Sequence, residues 1–158
     1  MFASLPRFFL FGAAALMMSC LSSRPVEGTG AGRAEEQPLG SFTLESGTFG
    51  DSTLAPTVCA AGDRQSFLGA DLQTPGSPVV LRLVVDPIEG PAVRLYSTEA
   101  PFDKSVVFRR SDCSVFHFSL DSTGWRINDY EDYRLTLQLD CAREGEHITG
   151  NASSTHCH

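Results

Sequence analysis

Three stretches of this 158-residue chain alternate apolar and polar residues with a period of two, and nothing else in it constrains the fold as tightly. Val79, Leu81, Leu83 and Val85 are spaced by Val80, Arg82 and Val84. Phe116, Phe118 and Leu120 are spaced by His117 and Ser119, and Leu135, Leu137 and Leu139 by Thr136 and Gln138. Successive side chains on a strand point to opposite faces, so strict alternation marks strands half-buried against a core. One dry face and one wet face is the habit of antiparallel sheets. Further strands are expected at 41–49, 66–72, 93–97, 106–109 and 147–154. Pro75-Gly76, Gly90-Pro91 and Ala100-Pro101 punctuate these runs as turn or loop signals. No window carries a convincing helical period, and no internal repeat is visible. Short strands spaced by turns predict an all-β fold, an antiparallel sandwich or small barrel.

The first residues belong to a different kind of segment. Arg7 is the only charge ahead of Cys20, residues 8–18 are an apolar run, and Ser19-Cys20 close it. A basic start, a short apolar stretch and a small residue at the cut define a secretory signal peptide. A membrane-spanning helix needs about 20 apolar residues, and Ser22, Ser23 and Arg24 end this run too early. Leu16-Met17-Met18-Ser19-Cys20 resembles the lipobox of bacterial lipoproteins. That resemblance implies a diacylglyceryl group on the Cys20 thiol, a cut after Ser19 and acylation of the new amine. Met17 and Met18 stand where Leu and Ala or Ser are commoner, so an ordinary cut without lipid is the alternative. Several acyl chains suffice to hold a soluble domain at a membrane, each buried methylene contributing about 0.8 kcal/mol. Residues 21–37 are Ser, Arg, Pro, Glu and Gly with little apolar content, the composition of a tether. The chain thus divides into a signal peptide (1–19), an anchor cysteine with its tether (20–37) and a β-domain (38–158). The last, about 120 residues, is long enough for one modest core.

Four cysteines follow Cys20: Cys59, Cys113, Cys141 and Cys157. An even number behind an export signal reads as two disulfides formed in an oxidising compartment, and three connectivities exist. Strands 113–120 and 133–141 should form a hairpin around a loop at 121–132, which brings Cys113 near Cys141 and leaves Cys59 for Cys157. Aligning the apolar faces pairs Phe116 with Leu139, Phe118 with Leu137 and Leu120 with Leu135. That register sets Cys113 opposite Ala142, one residue off, so a bulge near Ser114 is expected, or Cys113 lies just outside the strand.

Composition narrows the function. The formal net charge is −7, and the loss of Arg7 with the leader takes it to −8. Nucleic-acid binding needs a Lys/Arg footprint on the phosphates, and a basic patch gripping anionic lipid is equally disfavoured. Solubility accounts for the acidity. Phe49-Gly50-Asp51-Ser52-Thr53-Leu54 resembles the nucleophile block of the GDSL esterases, which implies Ser52 as a nucleophile before a helix, served by an Asp-x-x-His. Here Pro56 follows and no Asp-x-x-His occurs, the nearest approach being Glu144-Gly145-Glu146-His147. A serine without its base is not activated, so a Gly-Asp-Ser turn is the simpler reading and no catalytic residue is assigned. His156 and His158 lie two apart, so on a strand their imidazoles point the same way and can share an ion. Two histidines make a weak site, and Cys157 between them is wanted for a disulfide. No metal and no cofactor is therefore expected. The expected loop gathers Trp125, Tyr130 and Tyr133 among acids, a set of flat platforms for a sugar or peptide. Asn128, Asp129, Glu131 and Asp132 could hold calcium, but their spacing does not match the 12-residue calcium loop. The plainer reading has Trp125, Ile127 and one Tyr covering the end of the core. Asn151-Ala152-Ser153 fits the glycosylation pattern, which behind a bacterial leader reads as chance.

From Cys113 onward the chain reads Cys-x-x-Phe-x-Phe, then Leu-x-Leu-x-Leu-Asp-Cys, a Gly-containing turn, Ile-Thr-Gly and a closing Cys-His. With the leader, this resembles uncharacterised secreted lipoproteins of the myxobacterial kind. The motifs are strand faces, a turn and cysteines, so the resemblance implies fold and location and no activity. An early and a final cysteine also resemble those of other two-cysteine β-type bacterial lipoproteins, in line with a Cys59–Cys157 bridge. The expectation is a lipid-anchored cell-envelope protein, a non-enzymatic binding or structural module with a protein or glycan partner. A secreted ligand carrier or inhibitor, and an esterase using Ser52, are the alternatives.

Overall fold

The computed structural model describes residues 37–100 and 104–158. The expected signal peptide, Cys20 and all of the tether but its last residue lie outside the described residues. Ten strands follow in order: β1 (Gly40–Ser46), β2 (Ser52–Leu54), β3 (Val58–Ala61), β4 (Gly69–Gln73), β5 (Val79–Asp86), β6 (Gly90–Ser97), β7 (Val106–Arg109), β8 (Cys113–Ile127), β9 (Tyr130–Arg143) and β10 (Glu146–Cys157). They form two five-stranded sheets, ordered β2-β1-β10-β9-β8 and β3-β4-β5-β6-β7, and every pairing is antiparallel. The fold is the all-β antiparallel sandwich, with a separate edge on each sheet rather than a closed barrel.

The alternation places the core. Leu81 and Leu83 of β5 and Leu135, Leu137 and Leu139 of β9 are all at most 2% exposed. With Phe42, Leu44 and Ile148 from the first sheet and Val93, Leu95 and Phe108 from the second, they form one cluster that both sheets share. Each such side chain contributes about 1.5–3 kcal/mol on burial. β4 breaks the pattern, because Gly69, Ala70, Asp71 and Leu72 are all buried. The segment after β3, a 3-10 turn at Gly62–Gln65 and then Phe67, lies over its outer face. There Arg82 of β5 makes a 2.7 Å ion pair with Asp71, its guanidinium stacked 4.2 Å from the Phe67 ring and 5.0 Å from Tyr96.

The two disulfides join as the strand neighbours require. Cys113–Cys141 bridges adjacent β8 and β9 with Cα atoms 3.9 Å apart, whereas Cys59–Cys157, at 4.7 Å, ties β3 of one sheet to β10 of the other. Phe116 pairs with Leu139, Phe118 with Leu137 and Leu120 with Leu135, and the register slips between Cys113 and Val115. That bulge at Ser114 sets Cys113 opposite Cys141.

The loop expected at 121–132 is not a loop. β8 and β9 run on to Ile127 and Tyr130 and meet through Asn128-Asp129, both at positive φ (51° and 68°). Two left-handed residues make the turn whose twist suits a two-residue hairpin, and Asn and Asp tolerate it. A second slip between Ser122 and Arg126 surrounds Gly124, at φ 77°. Two other expected strands are shorter than foreseen. The run at 41–49 ends at Ser46, where Glu146 accepts hydrogen bonds from the Thr48 N–H (3.0 Å) and hydroxyl (2.8 Å) and from the Ser46 hydroxyl, fixing the turn. The run at 66–72 begins at Gly69, because residues 66–68 belong to the covering segment.

Gly150 in β10 has φ 153°, and a Cβ there would sit 2.2 Å from the Ser41 carbonyl oxygen and 2.8 Å from the Phe42 ring. Gly150→Ala should therefore cost about 2 kcal/mol or more, read as a lowered thermal midpoint. For the disulfides, sequence separations of 98 and 28 correspond to loop entropies of about 4.7 and 3.6 kcal/mol. Replacing Cys59 and Cys157 with Ala should thus lower the urea midpoint more than replacing Cys113 and Cys141. The reverse ranking would contradict that account.

Candidate functional site

The extension of β8 and β9 past the core produces an arm. From Gly124 to Tyr130 every residue is exposed. Ile127 and Tyr130 are paired directly and so share a face, and Trp125 lies in the slip just ahead of that pair. Their exposures are 73% for Trp125, 37% for Ile127 and 38% for Tyr130. On the opposite face Arg126 pairs with Glu131. Arg64 of the 3-10 turn lies 5.0 Å over the Tyr130 ring and braces the arm against the other sheet.

Of the three aromatics expected to form one surface, Trp125 and Tyr130 are both exposed on the arm, and Tyr133 does not join them. Tyr133 packs against the core cluster, and its hydroxyl donates to Asp63 at 3.2 Å. Burial, together with the Asp63 carboxylate, pushes the Tyr133 phenol up to about 12. Trp125 does not cover the core, because the strands carry it beyond the core's end.

At the base of the arm sits Asp132, which the sequence offers as a calcium ligand in a loop and which the structure places within β9. Asp132 is 1% exposed under a single layer of side chains. Its Oδ2 meets Nδ1 of His156 at 2.8 Å and accepts the Thr123 hydroxyl at 2.9 Å, and its Oδ1 is 3.8 Å from Nδ1 of His158. Burial works against the charge, but the hydrogen bonds from His156 and Thr123 and the two nearby imidazoles outweigh it and hold the carboxyl below its usual value. The two histidines thus converge, as their spacing suggests, on an acid from the neighbouring strand. A bulge between Ser154 and Cys157 aims them there. Among the described residues, no group of three or more histidine, cysteine or acidic side chains is placed to hold a metal ion. Asn128 and Asp129 are consumed in the turn.

Ser52 opens β2 in the turn-and-strand setting of its segment: Asp51 accepts the Ser46 N–H at 3.0 Å and Gly50 takes φ 78°. Ser52 pairs with Leu44, whose side chain faces the core, while His147 pairs with Glu45 on the outer face. Serine and histidine therefore project from opposite faces of the sheet. A polar row crosses that outer face instead. The Ser114 hydroxyl donates to Asp140 at 2.6 Å, Asp140 meets Nε2 of His147 at 2.9 Å, and Glu45 lies 3.5 Å from its Nδ1. Here the acid stands between serine and histidine, so the base never touches the hydroxyl as a catalytic triad requires. Two surface hollows of about 420 Å³ each are lined by Thr48, Val107 and Glu146 in one case and by Phe67, Val84 and Pro87 in the other. Neither reaches Trp125. Comparison with protein-family models, curated proteins and solved structures finds no match to this chain.

The polar row gives stability a definite pH dependence. Hydrogen bonds from Ser114 and His147 lower Asp140 below its ordinary 3.8; that contribution is present above 3.8 and fades as pH falls through the folded value. Asp132 behaves alike. Hydrogen bonding to Asp140 raises His147 above 6.5; its contribution is complete below 6.5 and is lost as pH rises through the folded value. Stability should peak between these limits, and His147→Gln should flatten the decline on the alkaline side. Urea unfolding across pH checks this; an unaltered alkaline limb in the variant would refute it.

Proposed function

We propose that this chain is a lipid-anchored protein of the bacterial cell envelope, exported behind the signal peptide 1–19 and held at the membrane through acylated Cys20. One observation carries the reading: the apolar run 8–18 ends in Ser19-Cys20. The cysteine accounting supports it. Cys59, Cys113, Cys141 and Cys157 are consumed in two bridges, which suits an oxidising compartment and leaves the fifth cysteine for the lipid. Diacylation or triacylation would give stable attachment where one chain would not.

In this reading the β-sandwich is a non-enzymatic binding or structural module. The placement of Ser52 and His147 on opposite faces, and of Asp140 between Ser114 and His147, argues for that role. The acidic charge argues against nucleic acid as a partner.

Protein purified from bacterial membranes should begin, by mass spectrometry, with acylated Cys20, and Cys20→Ala should release the protein from the membrane or stall it as the precursor. A mature chain starting elsewhere, or an unmodified Cys20, would overturn the anchor.

A further inference from the structure

We propose that the tip of the β8–β9 arm, Trp125, Ile127 and Tyr130, is a membrane-interface contact that dips into the headgroup region of the bilayer holding the anchor. This rests on the lipid-anchor reading. The topology of the first sheet supplies the orientation. β1 begins at Gly40 beside Ala152, and the Leu39 carbonyl accepts the Ser153 N–H. From there β1 runs away from the arm, so the described chain enters the sheet at the end nearer the tip. Ser153 pairs with Thr136, and the arm's turn at Asn128-Asp129 lies about 23 Å farther along β9 at 3.3 Å per residue. Residues 20–37 need a rise of only about 1.3 Å each to cover that distance, against 3.3–3.6 Å when extended. The anchor can therefore hold the bilayer surface at the arm's tip.

The chemistry of the tip fits that occupant. Trp and Tyr, apolar rings with a polar edge, favour the membrane–water interface, and Ile127 pairs with Tyr130. Arg126 and Glu131 face each other and Asp129 in the turn adds one negative charge, so the contact is with a zwitterionic surface and needs no anionic lipid. The opposite end of the same sheet, the β9–β10 turn, presents instead the ion pair of Arg143 and Glu144, 42% and 78% exposed. A water-facing end and an interfacial end are thus separated along one sheet.

Trp125 is the only tryptophan in the chain, so its fluorescence reads the tip directly. The mature full-length protein is reconstituted on phosphatidylcholine vesicles with and without dibrominated phosphatidylcholine, and mass spectrometry reports separately on Cys20. Expected are a blue-shifted Trp125 emission and loss of most of its intensity in the brominated vesicles. Joint replacement Ile127→Ser and Tyr130→Ser should restore the intensity, with far-UV circular dichroism reporting that the β-fold is kept. Equal emission in both vesicles with Cys20 acylated would overturn the tip contact and leave the anchor standing. Should Cys20 prove unacylated, the anchor fails, and vesicles titrated onto the free protein test the tip alone: quenching sustains it, and its absence overturns it.

Discussion

The bridge between Cys59 and Cys157 fastens the last strand of one sheet to the first strand of the other, and much of the architecture hangs on where it holds β10. β10 is the middle strand of its sheet, paired with β1 on one side and β9 on the other. Its C-terminal end is pinned there: Cys157 is fully buried, and the His158 N–H donates to the Cys59 carbonyl. With β10 held, β1 has a partner along its whole length and β9 keeps the register that brings Leu135, Leu137 and Leu139 into the core. The same fixed end presents His156 and His158 to Asp132. A domain of this size has only one modest core, so a covalent tie between its two layers does what added hydrophobic area would do in a larger one.

Among the described residues three acids are buried, each with a different solution to the cost of a desolvated charge. Asp71 has a guanidinium, itself clamped between two rings. Glu146 accepts hydrogen bonds from one turn and so converts its burial into the geometry of the β1–β2 connection. Asp132 meets two imidazoles and a threonine hydroxyl, so its surroundings depend on where the end of β10 is held. The first two sit where strands must be locked; the third sits where the arm leaves the sandwich. A buried ion pair such as Asp71–Arg82 adds little net stability once its desolvation is counted, but removing one partner leaves a costly unpaired charge.

A long arm on an edge strand is unusual for a soluble domain, since exposed apolar side chains and a free strand edge invite association. Here the bulge at Gly124, the charged residues Arg126 and Glu131 and the tight Asn128-Asp129 turn restrain the edge. Retaining Trp125 and Ile127 in the open is consistent with a surface that meets something, and the topology limits which direction it can face.

What the sequence alone determined follows from its local rules. Period-two alternation identified which faces of 79–85, 116–120 and 135–139 are buried. Matching those faces settled the pairing of β8 with β9 to the residue, and the one-residue mismatch at Cys113 required a bulge that the Ser114 slip supplies. From that hairpin the disulfide pairs followed. Only the tertiary structure decided the rest. Alternation reports that a side chain faces a core or water, but not how far the core extends, so by sequence alone 121–132 has the look of a loop and Trp125 of a cover. The turn at Asn128-Asp129 lacks the glycine that announces such hairpins. The burial of Asp71 and Asp132 depends on what lies over them: a segment preceding β4 in one case and the chain's last residues in the other. Coverage of this kind is a long-range property, set by how distant pieces of chain meet, and no periodicity within a strand encodes it.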